Sequence, residues 1–352
     1  MPLQLGELPE TKFLKNTWYM AGWATEFGET PLRRVLLGSA IMFYRAGDGK
    51  VVAMEDRCPH RFAPLSKGQR QGDNIECAYH GLVFDRHGTC VLNPFADSPP
   101  KGAAVRTWAV HEQDGILWLW AGSPGTADLG AVPDYSDVRC PTGLPLITGY
   151  QQTRANYQFV TDNLMDLSHI EFVHRGTFGT DGMLFKGKHT LEQLEDGGLR
   201  SEWAMSDYAP PGWGYWLYSP GQSTDQWLIM RWQAPATMKL DIGVTAHGAA
   251  RADGFTVRQA HILTPETEHT THYFWGTGRF GFEQSAEIDQ IVHDRQIAAF
   301  DIQDKPIIEA AYANIGGGDF WAQKPIFMGV DAGSTTARRI VEKKIAEANK
   351  AG

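Results

Sequence analysis

The sequence predicts an α+β protein of two domains, of which the first is entirely β. Its 352 residues exceed the usual size of one domain and are enough for two hydrophobic cores. The first third alternates short apolar runs with turn residues and has no segment of helical periodicity. The later part combines strand-like runs rich in Trp, Tyr and Thr with two long helical candidates. Strands and helices are therefore largely segregated along the chain, as in α+β folds.

The first predicted domain covers residues 1–135 and consists of short strands. Apolar runs predict strands at residues 35–37, 41–44, 51–54 and 116–120. Asp48-Gly49 and Asp114-Gly115 adjoin such runs. Asp-Gly is a strong hairpin signal, because both central positions of the favoured two-residue turn need positive φ. We therefore expect antiparallel pairing in this domain.

A segment marked by Pro and Gly at residues 131–145 forms the predicted boundary. The second predicted domain covers residues 136–352. It is expected to contain a helical stretch at 159–174, several antiparallel strands within 203–264, and long helices at 287–312 and 334–348. Ser334 or Thr335 is the expected N-cap of the last helix.

Composition and charge exclude several classes of protein. The net charge of −9 argues against a nucleic-acid partner. No apolar run approaches the roughly 18 residues that cross a bilayer, and the N-terminus has no apolar signal core, so we expect no membrane segment and a cytoplasmic location. Four scattered cysteines are too few for a disulfide framework, and the roles of Cys90 and Cys140 stay open.

The first candidate site lies in the β domain and combines two Cys with two His. Cys58 and His60 are followed, after sixteen residues, by Cys77 and His80, and each pair lies in a short loop beside apolar runs. Two such loops can hold a compact cluster from two sides, and Gly81 fits a loop that turns tightly. A Rieske [2Fe-2S] centre uses two Cys on one iron and two His on the other.

Two other interpretations compete for these four residues. A zinc site also uses two Cys and two His, but zinc fingers usually place the two Cys together and the two His together. Here the types alternate along the chain. Simple packing of buried Cys and His is the remaining alternative. The alternation favours the Rieske cluster.

The second candidate site lies in the C-terminal domain. Asn163, Asp166 and His169 are spaced by three, so a continuous helix would place them on one face. His174 lies about 140° further around an ideal helix, so both His reach one metal only if the helix ends or unwinds between them. Two His and one carboxylate are typical of non-haem iron sites. Asp301, Asp304 or Glu309 could supply the carboxylate, and a helix with incidental histidines is the simpler alternative.

Together the two sites resemble the Rieske non-haem iron oxygenases, in the branch of vanillate O-demethylase and dicamba monooxygenase. The resemblance runs from about Phe13 to the last helix and includes residues 162–167, 261–268 and 331–333. It implies a Rieske β domain followed by a helix-grip (START-like) antiparallel sheet domain that holds a mononuclear Fe(II). Respiratory-chain Rieske proteins carry an extra disulfide, whereas Ala63 and Tyr79 stand at those places here.

The resemblance also implies roles for individual residues. It assigns His169, His174 and Asp304 as iron ligands and Asn163 as a polar neighbour of the iron. Asp166 matches a carboxylate that links an iron-site His of its own chain to a cluster His, here His80, of a neighbouring subunit. His261 matches a substrate-contacting position, whereas Leu240 stands where a family member has a polar amide.

The implied activity is oxidation of a small aromatic compound with O₂. The chain has no dinucleotide-binding fingerprint, so NADH electrons are expected to arrive through a flavin reductase, a ferredoxin or both. Oxidative O-demethylation of a methoxy-aromatic acid such as vanillate is the specific expectation, in a head-to-tail homotrimer. N-dealkylation, aryl-methyl hydroxylation and ring cis-dihydroxylation stay open, as does a Rieske electron carrier without oxygenase activity.

Overall fold

The computed structural model describes residues 12–138, 146–175, 177–180, 182–211, 217–219, 221–278 and 285–351. They form two compact units, each considered by itself. The first contains the described residues up to Asp134 together with 264–268 and 345–351, and the second contains the others. Two short segments from late in the chain thus belong to the first unit, which a single division of the sequence does not anticipate. The domain limits 1–135 and 136–352 stay a prediction, and Cys140 lies outside the described residues.

The first unit is built from three antiparallel sheets. Their strand orders are β1-β11-β10, β2-β3-β4-β9 and β5-β6-β7-β8. The strands are β1 (Trp18–Trp23), β2 (Leu32–Leu36), β3 (Ser39–Arg45), β4 (Val51–Glu55), β5 (Gln69–Gln71), β6 (Asn74–Glu76), β7 (Val83–Phe84), β8 (Cys90–Leu92), β9 (Thr107–Trp108), β10 (Val110–Gln113) and β11 (Ile116–Trp120). Gly49 and Gly115 have φ of 82° and 78°, so both predicted Asp-Gly turns use the positive-φ freedom of glycine.

The second unit contains one antiparallel sheet of order β12-β18-β17-β16-β15-β14-β13. Its strands are β12 (Ile147–Thr153), β13 (Lys188–Gln193), β14 (Leu199–Tyr208), β15 (Thr224–Gln233), β16 (Thr237–Ala246), β17 (Phe255–Pro265) and β18 (Thr271–Thr277). Each strand neighbours the next in sequence, except that β12 pairs with the last strand, β18. The strands predicted within 203–264 are β14 to β17.

Helices interrupt and follow this sheet. They are α1 (Tyr157–Met165), α2 (Ile170–Val173), α3 (Ala286–Ile297), a π-helix (Ala298–Asp304), α4 (Lys305–Asn314) and α5 (Ala332–Ala351). The π-helix packs against the sheet, since the side-chain amide of Gln151 on β12 donates to the Phe300 carbonyl at 3.2 Å. The predicted α+β class, with a β domain followed by a sheet that holds a long helix, is confirmed.

Three local predictions need correction. The helix expected over 159–174 breaks after Met165, and the helix expected over 287–312 has a π-helical centre. The last helix begins at Ala332, so Ser334 and Thr335 lie in its first turn and are not its N-cap. Their hydroxyls donate to the carbonyl of Asp331 at 3.0 and 2.8 Å. Among the described residues, none of the helices combines the length and apolar character that crossing a bilayer requires.

A glycine on β12 makes room for a large aromatic side chain of the second unit. Gly149 lies directly opposite Trp275 of β18 in the strand register. A Cβ at Gly149 would lie 2.0–2.6 Å from atoms of the Trp275 indole, which is 1 % exposed. Since the buried ring cannot move into solvent, any side chain at position 149 must displace packed neighbours.

We expect Gly149→Ala to lower the free energy of unfolding by about 1–3 kcal/mol through overpacking against Trp275. Gly125→Ala is the matched control, because a Cβ there meets no atom within 4 Å. Denaturant unfolding of both variants measures the difference. Equal stability of Gly149→Ala and the control would contradict the packing argument.

Candidate metal sites

The loops that carry Cys58 and Cys77 have the same backbone hydrogen bonds. The first loop follows β4, and the second joins β6 to β7. In each, the Cys carbonyl accepts from the amide four residues later, at Phe62 and Gly81, with N···O distances of 2.9 and 3.0 Å. Both of these residues have positive φ, 62° and 72°. The repeated geometry turns each loop sharply, and each loop carries one Cys and one His.

The four side chains of these loops fit an iron–sulfur cluster. Cys58 and Cys77 are 1 % and 2 % exposed and are not in a disulfide, and the ring centroids of His60 and His80 lie 4.5 Å apart. Burial, together with the neighbouring Cys77 thiol, raises the pKa of Cys58 to about 11. Its thiolate therefore needs a bound cation. The Nδ1 atom of His80 is buried without a hydrogen-bond partner, as expected of an atom that ligates a metal.

The second site depends on a break in the helical segment after β12. Helix α1 ends at Met165, and the Asp166 carboxylate accepts from the amide and hydroxyl of Ser168 at 2.9 and 2.6 Å. A 3₁₀ turn (Leu167–His169) and the short helix α2 follow, and His174 comes directly after α2. Asn163, Asp166 and His169 therefore do not share one continuous helical face. Both histidines follow the break and flank α2, which ends before His174, and their ring centroids lie 5.2 Å apart.

Asp304 lies between the two imidazoles. Its carboxylate oxygens are 3.5 Å from His169 Nε2 and 3.3 Å from His174 Nε2. One potential ligand atom from each residue lies within 4.8 Å of the others. The rings are 5.2 Å apart and nearly perpendicular, and Asp304 is 4 % exposed. Two neutral imidazoles and one carboxylate on one side of a metal match the donor set of non-haem iron.

Hydrogen bonds on the far side of each ring fix which nitrogen faces Asp304. The Nδ1 atom of His169 is 2.5 Å from the Asp166 carbonyl oxygen, and that of His174 is 2.8 Å from Gln303 Oε1. Because both partners are acceptors, each Nδ1 carries the proton and donates. Each Nε2 is left with a lone pair for a metal.

Two consecutive residues of the π-helix, Gln303 and Asp304, contact the imidazole of His174. Gln303 binds Nδ1 of His174 while Asp304 approaches its Nε2. Asn163 on α1 donates to Asp304 Oδ1 at 3.3 Å, so both α1 and the π-helix position the carboxylate. Burial alone would lower the pKa of His174, but the Asp304 carboxylate outweighs burial and raises it. π-Helical segments frequently occur at functional sites.

The other carboxylates that the sequence left open point elsewhere. Asp301 accepts from Lys305 Nζ at 2.8 Å, and Glu309 accepts from the backbone amide and guanidinium of Arg154 at 2.8 and 2.9 Å. Of these three candidates, the described structure groups only Asp304 with the two histidines. The pitch of the π-helix, which the sequence did not predict, directs Asp304 toward the histidines and Asp301 toward Lys305.

A cavity of about 260 Å³ opens beside the second site. Asp162, Asn163, Asp166 and His169 form part of its wall. Both hydrogen bonds from Ser168 to Asp166 end on Oδ1. Asp162 is held by Arg338, whose Nε donates at 2.9 Å to both carboxylate oxygens. This ion pair anchors α1 near the residues that surround the metal site.

His261 lies on the sheet and is 1 % exposed. Its Nδ1 is 2.7 Å from the Tyr273 hydroxyl, and its Nε2 is 3.2 Å from Gln259 Oε1. Burial lowers the pKa of His261 to about 3, so the ring is neutral at ordinary pH. Both ring nitrogens have protein partners, and contact between His261 and substrate stays a prediction.

Sequence reasoning missed two residues that support the metal site. Gln303 orients His174, and Glu171 lies between the two histidines. The Glu171 carboxylate, 6 % exposed, accepts from the backbone amides of Thr180, Gly182 and Leu184 at 3.0–3.2 Å. Neither role leaves a motif, because Gln and Glu are ordinary helix residues. The one signal in the sequence for a role of Gln303 is that it directly precedes Asp304.

Models of two protein families match this chain. Residues 17–109 match the Rieske [2Fe-2S] domain, and residues 153–347 match the vanillate O-demethylase oxygenase C-terminal domain. The first range contains both Cys-His loops, and the second contains His169, His174 and Asp304. The two matches therefore coincide with the two candidate sites.

Relatives with similar sequences cover nearly the whole chain. The oxygenase component of chloroacetanilide N-alkylformylase from Rhizorhabdus wittichii is 35 % identical over 95 % of this chain and 96 % of its own. The oxygenase component of dicamba O-demethylase from Stenotrophomonas maltophilia is 34 % identical over 94 % of this chain and 97 % of its own.

A solved structure shows the same fold. The crystal structure of dicamba monooxygenase bound to 3,6-dichlorosalicylic acid has a TM-score of 0.87 and 33 % identity, covering 96 % of this chain and 99 % of that one. Another structure of that enzyme contains non-haem iron and dicamba. The donor sets of both sites agree with these comparisons, and the cofactors are a Rieske [2Fe-2S] cluster and a non-haem iron. The chain therefore belongs to the Rieske non-haem iron oxygenases, as the oxygenase component of a multicomponent monooxygenase.

Proposed function

We propose that this oxygenase component catalyses oxidative O-demethylation of a small methoxy-aromatic compound. The observation that carries the proposal is the buried group of His169, His174 and Asp304. Relatives named for O-demethylation of dicamba and vanillate support the choice of reaction. Vanillate, the example that the sequence resemblance supplied, and its uncharged analogues are the compounds to test. NADH is the proposed electron source, through a flavin reductase, a ferredoxin or both.

In this proposal, each metal group has a defined set of ligands. Cys58, Cys77, His60 and His80 hold the [2Fe-2S] cluster, which receives electrons from the partner proteins. His169, His174 and Asp304 would hold the mononuclear iron, which supplies the activation of dioxygen when bound. Imidazole Nε2 atoms and one carboxylate leave other positions on the metal open to the reactants.

The remaining residues position these groups. Gln303 and the Asp166 carbonyl hold the two imidazoles with Nε2 toward the metal, and Asn163 fixes the Asp304 carboxylate. The methoxy carbon must approach the open side of this group. Its C–H bond is hydroxylated with one oxygen atom of O₂, while two electrons and two protons reduce the other atom to water. The resulting hydroxymethyl ether loses formaldehyde and leaves the phenol.

A second candidate reaction is N-dealkylation. It is favoured by the 35 % identity to the oxygenase component of chloroacetanilide N-alkylformylase. Hydroxylation of the carbon attached to nitrogen gives an unstable hemiaminal, so the same site can serve both reactions. Product analysis with matched N-methyl and O-methyl substrates distinguishes them.

We further propose a head-to-tail homotrimer in which Asp166 links the two metal sites. Two observations support this assignment. The Asp166 carboxylate uses Oδ1 for both bonds to Ser168 and lies at the wall of an open cavity. The Nδ1 atom of His80 is buried without a hydrogen-bond partner. This suits metal ligation by Nδ1 and leaves Nε2 for a carboxylate of the next subunit. Heterologous contacts of this kind close into rings when the rotation between subunits permits.

The proposed function predicts about three irons and two acid-labile sulfides per chain after anaerobic purification. His169→Ala should remove the mononuclear iron and demethylation, while the visible spectrum of the cluster stays unchanged. His87→Ala, at an exposed position, is the control. Methoxy-aromatic compounds should yield one formaldehyde per phenol. Zinc in place of iron, or full demethylation by His169→Ala, would contradict the proposal.

Gln303→Leu should weaken binding of the mononuclear iron by about 10–100-fold, because His174 loses the acceptor that orients it. Dialysis against graded chelator, followed by iron analysis, measures the affinity. Gln290→Leu is the matched control, since this exposed residue on α3 bonds only to Asp294 in the described structure. Equal iron retention by both variants would rule out the positioning role of Gln303.

Asp166→Asn should leave both metals bound and slow electron transfer between them by at least about tenfold, because the amide keeps the Oδ1 acceptor and loses the charge. Stopped-flow reoxidation of the reduced cluster, with substrate and O₂ present, measures this rate. Asp294→Asn, at an exposed site, is the control. A wild-type rate in Asp166→Asn would remove the bridging assignment.

A further inference from the structure

The two faces of the sheet in the second unit differ sharply in charge. The inner face is defined by His261, Gln259 and the residues directly opposite them across β14 to β17. The outer face is defined by the alternate residues of the same strands. Charged side chains of the outer face include Arg200, Glu202, Arg231, Lys239, Asp241 and Arg258.

The inner face contains no Asp, Glu, Lys or Arg in the paired rows of β14 to β17 that the structure describes. The row from His261 continues through Met238, Trp232 and Leu199. The neighbouring row continues from Gln259 to Leu240. Residues that pair across adjacent strands share one face of the sheet. The absence of charged side chains therefore extends across the inner face of β14 to β17.

The inner face lies next to the proposed iron ligands. Phe300, on the π-helix that ends at Asp304, has its ring centroid 5.4 Å from that of His261 and 5.8 Å from those of Tyr273 and Trp275. The charge on Asp304 also acts on both His261 and Tyr273. The inner face therefore borders the proposed iron site through Phe300.

The polar side chains of this face, including His261 and Gln259, are uncharged. His261 has one proton, on Nε2, because that atom faces the Gln259 oxygen while Nδ1 accepts from the Tyr273 hydroxyl. Burial disfavours a second proton on the His261 ring. Leu240, directly opposite Gln259, adds a buried apolar side chain to the same face.

Three buried polar atoms near Phe300 have no hydrogen-bond partner. They are the side-chain oxygens of Gln151 and Gln296 and the indole Nε1 of Trp275. The Gln151 and Gln296 side chains are held by donation to the Phe300 carbonyl and the Thr277 hydroxyl. Two fixed acceptors and one donor suit a ligand that has both N–H or O–H and C=O groups.

We infer that the substrate is an uncharged aromatic compound with an amide or hydroxyl group, and that the site discriminates against benzoate-type anions. The inference rests on the proposed function and specifies its substrate class. Benzoate anions need a cation or several donors once water is removed, and the described inner face supplies neither cation nor carboxylate-binding pair. The positive charge of a bound metal would lie beside His169, His174 and Asp304, where the methyl group of the substrate must approach.

Matched pairs of probes test this inference. We would compare 3-methoxybenzamide with 3-methoxybenzoate, and vanillamide with vanillate, for binding to the iron-loaded protein by anaerobic calorimetry. Formaldehyde release is measured in parallel. We expect each amide to bind at least about tenfold more tightly than its carboxylate.

Leu240→Arg adds a cation to the inner face, which has none in the described rows of β14 to β17. We expect this variant to narrow or reverse the preference for the amide, whereas Leu240→Met keeps the wild-type preference. Iron content and the cluster spectrum confirm that both variants are folded. The wild-type comparison needs no variant and decides the inference if Leu240→Arg fails to fold.

The outcomes separate this inference from the proposed function. An amide that binds preferentially but releases no formaldehyde supports the charge selection and contradicts O-demethylation. Carboxylates that bind as tightly as the amides, or the failure of every uncharged probe to bind, would overturn the inference. Demethylation of the carboxylates alone would overturn it while the proposed reaction stands.

Discussion

The second unit depends on keeping one buried carboxylate between two imidazoles. Asp304 lies at the end of a π-helical segment and approaches His169 and His174, which follow the break of the earlier helical segment at Asp166. Two helical irregularities, about 130 residues apart, thus act on the same site. Each would weaken an isolated helix, and a bound metal offsets that cost by joining the three donors.

The cluster site solves the same problem by local means. Its two loops use the same pair of backbone hydrogen bonds, and the positive φ of Phe62 and Gly81 makes each loop compact. Cys58 and Cys77 lie in a hydrophobic core with Met54 and Phe84, which keeps water from the sulfur atoms. Burial of thiols is unfavourable for the thiolate form unless a cation is present, so the loops are suited to hold a metal cluster.

The sheet of the second unit separates structural charge from the chemistry. Ion pairs such as Arg231–Asp241, at 2.6 Å, lie on its outer face. On the inner face, His261 is neutral because burial disfavours its second proton. A sheet face without cations favours the transfer of uncharged aromatic rings from water, which connects the fold to the proposed choice of substrate.

The sequence by itself determined the donors whose geometry is local. The alternation of Cys58, His60, Cys77 and His80 specified the cluster type, and the Asp-Gly turns specified hairpins. It could not choose among Asp301, Asp304 and Glu309, because that choice depends on π-helical pitch and on packing against α1 from a distant part of the chain. The roles of Gln303 and Glu171 were likewise decided only by tertiary structure. Hydrogen bonds between residues far apart in sequence leave no periodic pattern, whereas loops and alternating strands do.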